Sequence, residues 1–159
     1  MTKKVILASL IIGLISFGQI YSQENLNKVE YKIVAEGTDA PIPELKIVCL
    51  NKFFNKDYLP ADFSKKYNLE DNTLYKKKML VQIFQLDKDK NGLDKIELIG
   101  VNENDEKLLI EYNIVNSDKS NDDRQLTPFL IVQVPKSKKK ITFIENGIEL
   151  GKASKLYVE

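Results

Sequence analysis

The chain has 159 residues, 24 basic side chains against 23 acidic ones, one cysteine and no histidine. Without imidazole, Ser-His-Asp and Cys-His catalysis and histidine zinc sites are excluded, whereas lysine- or carboxylate-based chemistry stays formally open. A single cysteine makes no internal disulfide, and a near-neutral balance gives no electrostatic case for nucleic acid.

In chain order, Lys3 and Lys4 precede an apolar run from Val5 to Phe17, followed by Ile20-Tyr21-Ser22 and the polar Gln23. A basic start, an apolar middle and a small residue at the cut predict a secretory signal peptide over residues 1–22. The apolar run is too short for a membrane span. The expected product is a secreted or periplasmic chain of residues 23–159. It is one domain, with no transmembrane segment, and long enough for a core of its own.

Period-two alternation then dominates, the signature of strands. Val29, Tyr31 and Ile33 alternate with Glu30 and Lys32. Cys49, within the apolar run Ile47 to Leu50, reads as a small buried hydrophobe, because a reactive thiol wants a basic, exposed setting. Asn51 to Leu59 predicts one short helix, with Asn51 as N-cap, Phe54 and Tyr58 on one face at i and i+4, and Pro60 as its end. Asp62-Phe63-Ser64 is expected to begin a turn or extended segment. Met79 to Leu86 predicts a long strand, with Val81 and Ile83 facing one way and Leu80, Phe84 and Leu86 the other. Ile96–Val101 and Leu108–Ile114 follow as strands. Phe129–Val134 is apolar on both faces apart from Gln133, as in a central strand covered on both sides. After Ile141–Glu145, Asn146-Gly147 predicts a two-residue hairpin turn into Ile148, and a last strand is expected over Leu156–Val158.

The connectors hold the motifs. Asp87, Asp89, Asn91 and Gly92 match the first half of an EF-hand calcium loop, but position twelve is Leu98 where a bidentate glutamate is required. The flanks read as strands, so the segment reads as an acidic hairpin turn, and no metal or cofactor is expected. Asn116 to Arg124 is a longer polar loop, expected to be mobile. Asp105-Glu106 and Asp122-Asp123 read as solvated loop acids; a glycosidase needs two carboxyls set across a pocket, and the chain has no tryptophan for a sugar platform. Two lysine clusters, Lys76-Lys77-Lys78 and Lys136 with Lys138-Lys139-Lys140, each precede an apolar strand. They read as guards against edge-to-edge pairing, with binding of an anionic surface partner as the functional alternative.

Several elements carry a resemblance: Tyr31 to Gly37, Pro60-Ala61-Asp62-Phe63-Ser64, Met79 to Phe84, Thr127-Pro128-Phe129-Leu130-Ile131-Val132-Gln133-Val134-Pro135, and Ile141-Thr142-Phe143. In order and spacing, over roughly residues 31–145, this resembles the PrcB-type domain, a small secreted bacterial module. The resemblance implies a noncatalytic accessory role, since founding members associate with and stabilise a surface protease complex. The family commonly has a Gly-Gly-Tyr-type turn after its first long core strand. Here Asn91-Gly92-Leu93-Asp94 stands in its place, which implies a different partner if that turn makes contact.

The expected fold is therefore all-β and sandwich-like, with one short helix. The expected function is a noncatalytic binding module for a protein partner in the cell envelope, a protease among the candidates. The alternative is a secreted protease inhibitor acting through its loops. Its contact surface is assigned to Asp87, Asp89, Asn91, Gly92, Leu93 and Asp94 together with Asp122, Asp123 and Arg124, because recognition tends to sit on loops held by a rigid sheet.

Overall fold

The computed structural model describes residues 25–42, 45–85, 91–150 and 155–158; Phe54 and residues 155–158 are described as backbone alone. The predicted leader, Leu86, Asp87 and Asp89 lie outside the described residues. In chain order the elements are β1 (Asn27–Lys28), β2 (Lys32–Gly37), β3 (Leu45–Cys49), α1 (Phe53–Tyr58), α2 (Ala61–Lys66), a 3-10 turn (Asn72–Tyr75), β4 (Lys78–Phe84), β5 (Lys95–Glu103) and β6 (Lys107–Val115). A second 3-10 turn (Lys119–Asn121), β7 (Phe129–Pro135), β8 (Lys140–Glu145), β9 (Ile148–Glu149) and β10 (Lys155–Val158) complete them. The strands form two sheets, ordered β1-β5-β6-β8-β9 and β10-β3-β4-β7-β2. The fold is thus an all-β sandwich with a helical cover.

The second sheet is the middle layer, and its sequence says why. Along β4, Met79, Val81 and Ile83 point into the sandwich with Val132 and Val134 of β7 and Leu108, Ile110 and Phe143 of the facing sheet. The alternate residues Leu80 and Phe84 point the other way, with Ile131 and Phe129, onto Leu59, Phe63 and Leu69 from the helical layer. A strand buried on both faces must be apolar on both, which is how β4 and β7 read. The facing sheet is covered on one side only, so β6 buries Leu108, Ile110 and Tyr112 and leaves Glu111 and Asn113 half-exposed. Removing a buried aliphatic such as Ile83, which has no solvent exposure, costs about 2–5 kcal/mol. Most pairs are antiparallel, but β6 with β8 and β10 with β3 are parallel. The Asn146-Gly147 turn joins β8 to β9 with both residues at positive φ, 50° and 79°, the geometry of a type I′ hairpin.

Two expectations are corrected. Val29 to Ile33 is not one strand. Asn27 and Lys28 pair with β5 of the outer sheet, the Val29 N–H still bonds the Val101 carbonyl at 2.9 Å, and the chain then crosses to pair β2 with β7 of the middle sheet. Tyr31 and Ile33, apolar positions of that alternation, are exposed. The helical cover is also two helices, not one. The N-cap position of the first is Lys52, not Asn51, although the Asn51 Oδ1, one residue earlier, accepts the Phe53 N–H at 2.9 Å, and that helix ends before Pro60. Pro60, which lacks an N–H, then stands just ahead of Ala61, where a helix needs no donor. Its carbonyl accepts the Ser64 N–H at 3.0 Å, and Asp62 lies in the first turn, where the helix dipole favours an anion. One proline closes α1 and opens α2.

Candidate functional site

The loop face begins at Gly92. This residue is buried at φ +79°, and a β-carbon on it would meet the Asn116 Nδ2 at 2.8 Å and the Asp122 Cα at 3.2 Å. Only glycine allows the 91–94 segment to lie against the 116–124 loop. The Gly92 N–H donates to the Arg124 carbonyl at 2.9 Å, and the Asp94 N–H to the Val115 carbonyl at 3.0 Å. The Asp94 carboxylate then accepts from the Ser117 N–H at 2.7 Å, the Asp118 N–H at 3.0 Å and the Asn121 amide at 3.0 Å. Within the longer loop, Asp118 caps the 3-10 turn through the Ser120 N–H at 2.9 Å. Asn116 donates to the Asp122 carboxylate, and the Arg124 guanidinium donates to the Asn121 Oδ1 at 3.0 Å.

The structure therefore brings together the predicted face residues that it describes. Asn91 and Arg124 are exposed, Leu93 is half-buried, and Asp123 is exposed with no hydrogen bond or ion pair from its carboxylate among the described residues. The long loop is more organised than expected, because Asp94 satisfies donors from three of its residues. Beside it lies a groove of about 380 Å³. Glu36, Asp94 and Asp118 line it in acid, Lys95 in base, and Phe129 forms part of its wall.

Two of these acids, Asp94 and Asp118, are not poised as proton donors. Burial alone would raise the Asp94 carboxyl, but the Ser117 N–H, the Asn121 amide and the Asp118 N–H outweigh it, so it lies below the ordinary carboxylate range. Asp118 is likewise held low, first by the Ser120 N–H. A general acid needs the opposite shift. What the arrangement supplies is fixed negative charge with its orientation set by the backbone.

A second cluster lies at the same end. Asp39 accepts from the Lys66 ammonium at 2.7 Å and the Tyr67 hydroxyl at 3.0 Å, and the lysine is the main reason its carboxyl is held low. Tyr67 stacks edge-on against Phe129, as does Phe63, with centroids 5.1 and 5.2 Å apart. Phe63 belongs to the Pro60–Ser64 segment and Phe129 to the Thr127–Pro135 segment, so two segments distant in sequence meet in the core.

Two buried networks had no counterpart among the sequence expectations. Between α1 and the middle sheet, Asn55 is fully buried. It donates to the Leu69 carbonyl at 3.0 Å and to the Tyr75 hydroxyl, and accepts from the Gln82 amide at 2.8 Å. Gln82 also reaches the Cys49 sulfur at 3.3 Å. Cys49 is buried as expected, and burial pushes its thiol up to about 12, far from a reactive thiolate. Among the described side chains of α1 the fully buried one is thus an asparagine, while the aromatics Phe53 and Tyr58 are exposed rather than packed in the core. The second network sits inside the sandwich. The Lys46 ammonium, 1% exposed, lies 3.2 Å from the Glu145 carboxylate, which also accepts from the Tyr112 hydroxyl at 2.8 Å. Alternation gave a weak hint of both, since Asn55, Lys46 and Gln82 interrupt apolar faces without ending the elements they sit in.

Among the described residues no group of histidine, cysteine and acidic side chains could hold a metal ion, and no helix is long and apolar enough to cross a membrane. No family model, curated protein or solved structure matches this chain.

Proposed function

We propose that this chain is a noncatalytic binding module, exported to the periplasm or beyond, that docks a protein partner through the face built by Asn91–Asp94 and Asn116–Arg124. The observation that carries the reading is Asp94. One carboxylate ties a connector to a loop more than twenty residues further on, and so presents Asp122, Asp123 and Arg124 as a fixed surface rather than as separate tails. Preorganised loops lose less freedom on binding, which favours recognition. The satisfied, low-lying acids beside it favour contact over turnover.

An exported protease complex is the partner class suggested by the resemblance to the PrcB-type domain. Crosslinking in the native cell envelope, followed by identification of what is captured, tests the reading. Capture of a defined protein by the wild type, reduced in an Asp123→Lys variant, is the expected result. A chain that always elutes alone after crosslinking refutes it. The competing reading, a protease inhibitor using the same loops, is separated by assaying the captured protease: an accessory subunit preserves activity, an inhibitor removes it.

A further inference from the structure

The two lysine clusters lie almost sixty residues apart in sequence and side by side in the fold. Lys78 at the start of β4 pairs in register with Pro135 at the end of β7, and the Lys136 N–H donates to the Lys77 carbonyl at 3.1 Å. Lys140 at the start of β8 pairs with Lys107 at the start of β6. The 76–78 turn and the 136–140 connection therefore crown one end of the sandwich. The acids at this end include Glu30, next to Val29, and Glu103, Asp105 and Glu106; Glu103 is paired with Lys139 at 2.9 Å. Lys76, Lys77, Lys136, Lys138 and Lys140 are exposed, and among the described residues none of them makes an ion pair.

Guarding a sheet edge does not account for the first cluster. β4 lies between β3 and β7, so Lys76–Lys78 protect no edge in the folded protein. Lys77 moreover sits at φ 58°, where asparagine or glycine is at less cost. Its charge, not its backbone preference, explains its presence. Beside the second cluster a groove of about 410 Å³ is lined by Val29, Leu108 and Pro135, by Lys136, Lys138 and Lys139, and by one acid, Glu103.

We infer that this end docks on an anionic phospholipid surface, its lysines meeting the phosphate headgroups. The residue type selects the partner. The chain's one arginine, Arg124, lies at the opposite end. Lysines are flexible point charges, suited to a plane of mobile anions rather than to bidentate reading of a defined acceptor. The acidic loop face is a strand length away, roughly 20 Å for the seven residues of β4. That exceeds the ~8 Å screening length of physiological salt, so its charge does not cancel the attraction. The inference does not depend on what the loop face binds.

The test is co-sedimentation of the full chain, in the form its host cell processes, with vesicles of pure phosphatidylcholine and of phosphatidylcholine with phosphatidylglycerol. Each lysine near an anionic surface is worth about a fivefold change in partitioning. The K136Q/K138Q/K140Q variant should therefore bind the anionic vesicles about a hundredfold more weakly. K77N, which suits the turn geometry, should lose about fivefold with its thermal midpoint unchanged or raised. A matched variant elsewhere, K56Q/K65Q/K66Q, should bind like wild type, and raised salt should release the wild type. Equal binding to both vesicle types, an equal loss in the matched variant, or binding to soluble heparin without binding to vesicles overturns the inference.

Discussion

Asn55 and Asp94 do the same job in opposite surroundings. Each is a short polar side chain with three partners, and each ties together segments distant in sequence. Asn55 does so fully buried, against a sheet face that is apolar around Gln82. Asp94 does so at the rim, where water can replace any bond that breaks. A buried polar group stripped of its partner bears the full cost of desolvation, whereas an exposed one does not. The dry network should govern whether the helical layer stays on the sheet, and the wet one what shape the loop face takes.

The comparison breaks most readily at its dry end. Asn55→Ala removes three buried hydrogen bonds, from the Gln82 amide and to the Tyr75 hydroxyl and the Leu69 carbonyl, and leaves a void, so the unfolding free energy in urea should fall by about 2–4 kcal/mol. The same variant should speed labelling of Cys49, whose thiol is pushed up to about 12 by burial and reacts in the native protein only when the layer opens. A loss no larger than that of a surface change would mean that helix packing, not Asn55, holds the layer. Next comes Gly92→Ala, at about 1–2 kcal/mol for the left-handed backbone, with further cost from the 2.8 Å approach to Asn116. Its amide spectrum should change across residues 116–124 while the core stays as it was.

Asp94→Asn should cost less, about 1 kcal/mol once solvent screening is counted, and should depend on pH. Because the folded carboxyl lies below its ordinary value, its contribution is complete above the unfolded value of about 4 and is lost as the pH falls through the folded one. The stability gap between wild type and variant should be flat from about pH 5 to 8 and should close in acid. A gap that widened in acid would reverse the assignment of the shift. The smallest effect belongs to Lys66→Ala, whose partner Asp39 is half-exposed; its effect should fade with added salt.

The β framework was legible because burial on one or both faces writes itself into alternation, as in β4, β7 and β6. The Asn146-Gly147 hairpin was legible because its backbone demands those residues. The crossover at Val29–Ile33 was not, since alternation registers which face is buried and not which sheet a strand joins. α2 was missed because Pro60 signals a stop and a start equally well. Asn55 and Lys46 escaped because a pattern of apolar residues is blind to a polar side chain satisfied in the interior. The loop face was partly visible as composition. That Gly92 faces Asn116, and that Lys77 meets Lys136, are facts of strand pairing that no local window contains.

The pairing of β2 with β7 sets an order of events for the newborn chain. Residues 32–37 find their partner only at 129–135, so the middle layer cannot close until most of the polypeptide has been synthesised. Long-range pairing of this kind slows folding. Until then β2 stands without its neighbour, although β3 with β4 and β5 with β6 can already pair.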